Sequence, residues 1–199
     1  MINKFGRQFF GGFRSIKPIY WLLLFFAACG LSIYSLRANN LTMVHLRTAL
    51  YQADKNNTDV SQKLNALQAY VTSHMNTDLS TGPNAAYPPI QLQYTYQRLE
   101  AAEQQRVTTT NSKVYSQAEI YCQQQNPVSF SGRTRVPCIE QYVEQNGTKV
   151  QPISSALYEF DFVSPTWSPD LAGWSILASA ILFILFVTSW ITSHWVKAT

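Results

Sequence analysis

Two uncharged apolar runs frame the chain, Pro18 to Leu36 and Leu171 to Ser193. As a helix the first rises about 28 Å, close to the hydrocarbon thickness of a bilayer. Beyond Leu36 the apolar positions recur every seven residues. One seam runs Leu36, Met43, Leu50, Asn57, Leu64, Val71. Its companion, three residues on, runs Asn39, Leu46, Ala53, Val60, Leu67, His74. Neither Pro nor Gly occurs from 31 to 81. The pattern predicts one coiled-coil helix from Pro18 to about Met75, embedded at first and then projecting. Its outer part, 37–75, would reach about 58 Å if straight. Asn57 in mid-seam would pin register or oligomer state. The rival reading is fraying near Lys55-Asn56-Asn57-Thr58, where helix propensity is poor.

Residues 76–89 are rich in turn formers and end in Pro88-Pro89, a pair that can start a helix but not continue one. A second helix follows over about 90–125. Its apolar stripe (Leu92, Tyr96, Leu99, Val107, Val114, Ala118, Tyr121) is narrow, as in the outer partner of an antiparallel hairpin. After it, Asn146-Gly147 signals a type I′ hairpin turn, which needs positive φ twice. Tyr158, Phe160 and Phe162 alternate onto one strand face. A small antiparallel β element is therefore expected in about 136–163, with a helix across 138–145 as the rival. Ser164 to Asp170 is an extended lead into the second apolar run, with Asp170 or Ser168 near its N-cap.

Charge gives these elements an address. All eleven acids lie between Asp54 and Asp170. The first apolar run is preceded by Lys4, Arg7, Arg14 and Lys17, and the second is followed by Lys197. Residues 37–170 carry ten Lys/Arg against eleven acids, so the folded part is near neutral. This is the pattern of a membrane protein with both ends inside. It argues against a nucleic-acid partner, because no basic face is concentrated on the folded part. A cleaved signal peptide is the rival for the first run, but that run is longer than a usual h-region and a helical pattern continues past it. Trp21, Trp167, Trp174, Trp190 and Trp195 fall at the ends of the runs, where interfacial anchors belong.

The expected fold class is a mainly α membrane protein. Two transmembrane helices flank an extracytoplasmic helical hairpin whose first helix is continuous with the first span, and a small antiparallel β element completes the outer domain. The divisions are a basic cytoplasmic tip (1–17), a span (18–36), an extracytoplasmic domain (37–170), a span (171–193) and a second tip (194–199). Cys122 and Cys138 are the two outer cysteines, so one pairing is possible, worth about 3 kcal/mol by loop entropy.

Candidate chemistry is sparse. His45 and His74 would stand about 43 Å apart on one straight helix and so could share no metal. His194 lies at the inner interface with no acid beside it. No nucleophile, zinc, phosphate-loop or dinucleotide motif is present. Glu100 and Glu103 share a helix face without an evident partner; an enzyme reading would require the fold to bring one of them to a histidine and a tyrosine. No cofactor or metal site is expected. Neither apolar run holds an ionisable residue, which argues against a transport path.

The layout of span, long outer helix, returning helix and span resembles the sensing half of bacterial chemoreceptors and related histidine-kinase sensors. That resemblance implies a helical-bundle ligand domain. Only six residues follow Ser193 here, so a signal would have to pass to a separate protein. Pro165 and Pro169 before the second run also resemble the Pro-rich entry to that helix in polysaccharide co-polymerases of the chain-length-regulator kind, without the Lys and glycines that follow there. The function expected is scaffolding or assembly by a non-enzymatic envelope protein. Its association seam would be Met43, Leu46, Leu50, Asn57, Val60, Leu64, Leu67 and Val71, and its partners the lipid bilayer and a second copy or another membrane protein.

Overall fold

The computed structural model describes residues 17–80, 87–125 and 135–198, the last four without side chains. The basic tip, Lys17 excepted, and the side chain of Trp195 lie outside what is described. The chain forms two compact units, one of residues 1–53, 59–87 and 161–199, the other of 54–58 and 88–160.

Helix α1 runs Pro18–Asn56. Pro18 fits its first turn, where an N–H would have no partner. The helix then stops. Asn57 and Asp59 both take positive φ, 55° and 47°, and α2 begins at Val60 (Val60–Ser73). Asn and Asp adopt this conformation at lower cost than other side-chain-bearing residues. Past α2 the chain lies again beside the middle of α1. Asn39 Nδ2 donates to the Met75 carbonyl at 3.3 Å, and Asn76 Nδ2 donates to the Leu36 carbonyl at 3.0 Å. Asn76 is the third residue with positive φ, at 60°, and marks a second reversal. From there Arg47 Nη1 reaches the Leu79 carbonyl.

The single helix to Met75 therefore does not form. The seam folds on itself, so that a hairpin lies within 37–75. A heptad pattern reads alike for one long helix and for two antiparallel helices joined at a polar seam position. Met43, Leu50 and Ala53 from α1 and Leu67 and Val71 from α2 are buried. Each fully buried Leu contributes about 1.5–3 kcal/mol by leaving water. The 43 Å separation of His45 and His74 falls with the straight helix; they stand on opposite arms of a hairpin.

The other partner of α1 in this unit is α5 (Leu171–Ala198). Antiparallel pairing is fixed by Ser35 Oγ with Ser175 Oγ at 3.5 Å, Ser32 Oγ with Ser179 Oγ at 3.4 Å, and Phe25 against Phe183 at 5.4 Å. Ala172, Gly173, Ser175 and Ser179 are buried on α5, small residues that let the two helices approach closely. Both helices are long and apolar enough to cross a membrane. Only 11% of the first apolar window and 22% of the second are buried, whereas a core helix of a soluble domain is mostly covered.

The second unit is closed by a two-stranded antiparallel sheet, β1 (Ile90–Gln91) on β2 (Glu159–Phe160), with Ile90 opposite Phe160. Between them run α3 (Gln93–Gln125), α4 (Arg135–Asn146) and one 3-10 turn at Ser155–Leu157. The strand expected over 138–145 is helical, and Asn146-Gly147 ends that helix rather than turning a hairpin. The reason is helical spacing: Cys138 and Tyr142, four apart, both face α3, through the disulfide and through Tyr121 at 5.3 Å. Gly147 is required by close approach, since a Cβ there would lie 2.5 Å from the Val143 carbonyl oxygen.

Candidate functional site

Polar side chains gather at three places. In the first unit, they gather where the hairpin ends and α5 starts. Asp170 caps α5: its Oδ1 accepts from the Gly173 N–H at 3.0 Å and from Ser168 Oγ at 2.9 Å. Its Oδ2 accepts from Asn39 Nδ2 at 2.7 Å. Ser168 Oγ in turn accepts from the Met75 N–H at 3.1 Å. Asn39 of α1, Met75 past α2 and Ser168 to Gly173 at the start of α5 are thus tied by side-chain hydrogen bonds, and those to the Met75 and Gly173 N–H groups pair backbone donors that a helix end leaves free. Burial is the largest single influence on the Asp170 carboxyl and pushes its pKa up. The Gly173 N–H, Asn39, Ser168 and nearby His74 together outweigh it, so the carboxyl titrates below its ordinary value. The N-cap at Asp170 or Ser168 is as the sequence suggested; the partnership with Asn39 and Met75 had no local signal.

In the second unit, Asp54 is 2% exposed and serves the start of α3. Its carboxylate accepts from the backbone N–H of Tyr94 at 3.0 Å and of Thr95 at 2.8 Å, and from Thr95 Oγ1 at 2.6 Å. Arg98 donates to the same carboxylate at 3.0 Å and to the Asp54 carbonyl at 2.8 Å. One acid from the end of α1 therefore does the work of an N-cap for a helix that begins 39 residues later. Asn111 makes a similar clamp on Thr148, donating to its carbonyl at 3.0 Å and accepting from its N–H at 2.8 Å.

The third place is a shallow pocket of about 140 Å³ lined by Tyr96, Glu100, Glu103 and residues 150–153. It holds a few waters' worth of space, against roughly 300–1,000 Å³ for sites that bury a drug-sized ligand. Glu103 is committed: it takes a two-pronged pair from Arg106 at 2.7 and 2.8 Å and accepts from the Gln151 N–H at 2.8 Å. Arg106 first, and then Gln151, lower its pKa to about 2. Tyr96 packs on Tyr158, whose phenol is pushed up by burial and then by Glu159 and Tyr96. The two glutamates and a tyrosine do meet here, but all three histidines belong to the other unit. Among the described residues no group of three His, Cys, Asp or Glu could hold a metal.

The remaining expected residues divide as follows. Cys122 and Cys138 are bonded, Cα to Cα 5.9 Å, joining α3 to α4. Of the seam, Met43, Leu50, Leu67 and Val71 are buried, Leu46, Val60 and Leu64 half-buried, and Asn57 exposed in the turn. The seam is thus largely consumed within the chain. Trp167 and Trp174 meet edge to face at 6.0 Å and are both exposed; Trp190 is exposed and meets His194 at 4.9 Å; Trp21 is half-buried. No family model, curated protein or solved structure matches the chain.

Proposed function

We propose that this chain is a non-enzymatic envelope protein that spans the membrane twice and holds a helical module, residues 37–170, at the outer face for scaffolding or assembly. Both termini lie in the cytoplasm. The reading is carried by how the polar side chains are spent. Asp54, Asn111 and Asp170 each fasten one segment of chain to another, and Glu103 in the small pocket is already paired with Arg106. The charge asymmetry about the apolar runs supports the orientation. Because Met43, Leu50, Leu67 and Val71 are used inside the hairpin, contact with a second copy or another membrane protein falls to exposed side chains such as Tyr115, Ile120 and Val136.

Cysteine placed at Tyr115 or Ile120 and treated with a short bifunctional crosslinker in native membranes should give a dimer or a defined heteromeric adduct. Recovery of monomer alone from both sites defeats the assembly reading. An impermeant maleimide applied to intact cells should label the same positions and should fail to do so if the orientation is reversed. A second reading, an outer sensor or ligand-binding module acting through a partner protein, is favoured by one feature: α1 is unbroken from its membrane-length run to Asp54.

A further inference from the structure

We propose that residues 162–169 form an interfacial strap lying in the outer headgroup region, so that the protein grips the lipid surface beside its second span as well as through it. The proposal rests on the membrane-spanning reading. Its occupant is the bilayer, argued from continuity with α5 and from the composition and exposure of the strap.

The strap is Phe-Val-Ser-Pro-Thr-Trp-Ser-Pro, without a charged residue. Val163 is 79% exposed and Trp167 48%, and exposed Leu171 and Trp174 continue the apolar surface into α5. Trp167 and Trp174 meet, so these side chains form a patch rather than singly scattered exposed apolars. The strap is also held in place. Ser168 is buried, bonded to Asp170 and to the Met75 N–H. A Cβ on Gly173 would collide with the Ser168 carbonyl oxygen and stand 2.8 Å from Trp167 Nε1, so the strap is pressed against the first turn of α5. The Trp167 ring is thereby set edge to face on Trp174. Non-helical backbone is not stable against the hydrocarbon itself, where its N–H and C=O groups would go unsatisfied. At headgroup depth water still reaches them, and Pro165 and Pro169 remove two donors. Indole favours that depth.

The test uses the full chain in phosphatidylcholine vesicles, with four of the five tryptophans changed to Phe so that Trp167, Trp174 or Trp190 alone remains. Quenching is read with lipids brominated near the headgroup or deep in the acyl chains. Trp167 should emit blue of its position in water, resist iodide, and be quenched more by shallow than by deep bromines, as for a ring about 5–10 Å into the boundary. The same quenching should hold when anionic lipid is added, since the strap has no charge to respond. V163D in the Trp167-only background should weaken the quenching. If Trp167 emits as in water and is quenched by iodide while Trp174 and Trp190 remain lipid-quenched, the strap proposal is overturned and the spanning reading stands. If none of the three is lipid-quenched, both fall.

Discussion

Asp54 shows how much one buried side chain can carry. Replacing it with Ala removes the cap from two N–H groups of α3 and the partner of Arg98. Arg98 is itself about one-third exposed, so its charge is not stranded. The loss should therefore sit nearer the cost of an N-cap than that of a broken buried ion pair, about 1–3 kcal/mol, read by thermal unfolding in detergent. Asp54→Asn keeps an acceptor and should lose less. Glu103 makes a pH prediction. Its folded pKa is lowered from 4.5 to about 2. The stabilisation it gives is present above 4.5 and is lost as pH falls through 2. A Glu103 side-chain resonance should titrate near 2, and Glu103→Gln should abolish any unfolding step confined to that window. The i,i+3 spacing of Glu103 and Arg106 on one helix was there to be read in the chain, whereas the Asp54 pairing was not. Asp54 and Arg98 are 44 residues apart, and a carboxylate that caps another helix has no local spacing to betray it.

At the scale of elements, periodicity located the helices and failed at their ends. The apolar runs placed both long membrane-length helices, and α3 falls within three residues of the expected start. The turn at 57–59 was visible only as poor propensity, because a seam continues in phase through a tight reversal. The sign of one substitution separates the two geometries. Asn57→Gly should be neutral or stabilising where φ is positive, whereas in an unbroken helix it would lose several tenths of a kcal/mol. Asn57→Val should cost about 1–2 kcal/mol in the observed turn. Denaturant midpoints of the two variants decide it. The sheet was illegible for another reason: Ile90 and Phe160 are joined by pairing across most of a unit, and two-residue strands have no alternation to detect. The cysteine pair, by contrast, had one possible solution and took it.

For the whole molecule, side chains at helix ends fasten segments within each unit. Among the described residues the buried apolar side chains fall in separate small groups: Met43, Leu50, Leu67 and Val71 in the hairpin, Ile90 and Leu92 beside the sheet, Val114, Ala118 and Cys122 along α3. A chain built this way loses its organisation when a helix terminus is released, even with each helix intact. Far-ultraviolet circular dichroism of Asp170→Ala should accordingly stay near native in helix content, while protease should cut the 162–169 segment faster than in the parent.

The length of α1 has one more consequence, which concerns phase. Ser32, Ser35, Asn39, Met43, Leu50 and Asp54 follow one another at steps of three, four or seven, so they lie along one line of the helix surface. The contacts with α5 at Ser32 and Ser35, the bond from Asn39 and the hairpin core at Met43 and Leu50 are thus set by the phase of one helix. Removing one residue between Asn40 and Thr42 turns everything beyond it by about 100° and shortens the helix by about 1.5 Å. Such a deletion should abolish the native unfolding transition of the outer part, whereas Thr42→Ala at the same place should leave it nearly unchanged.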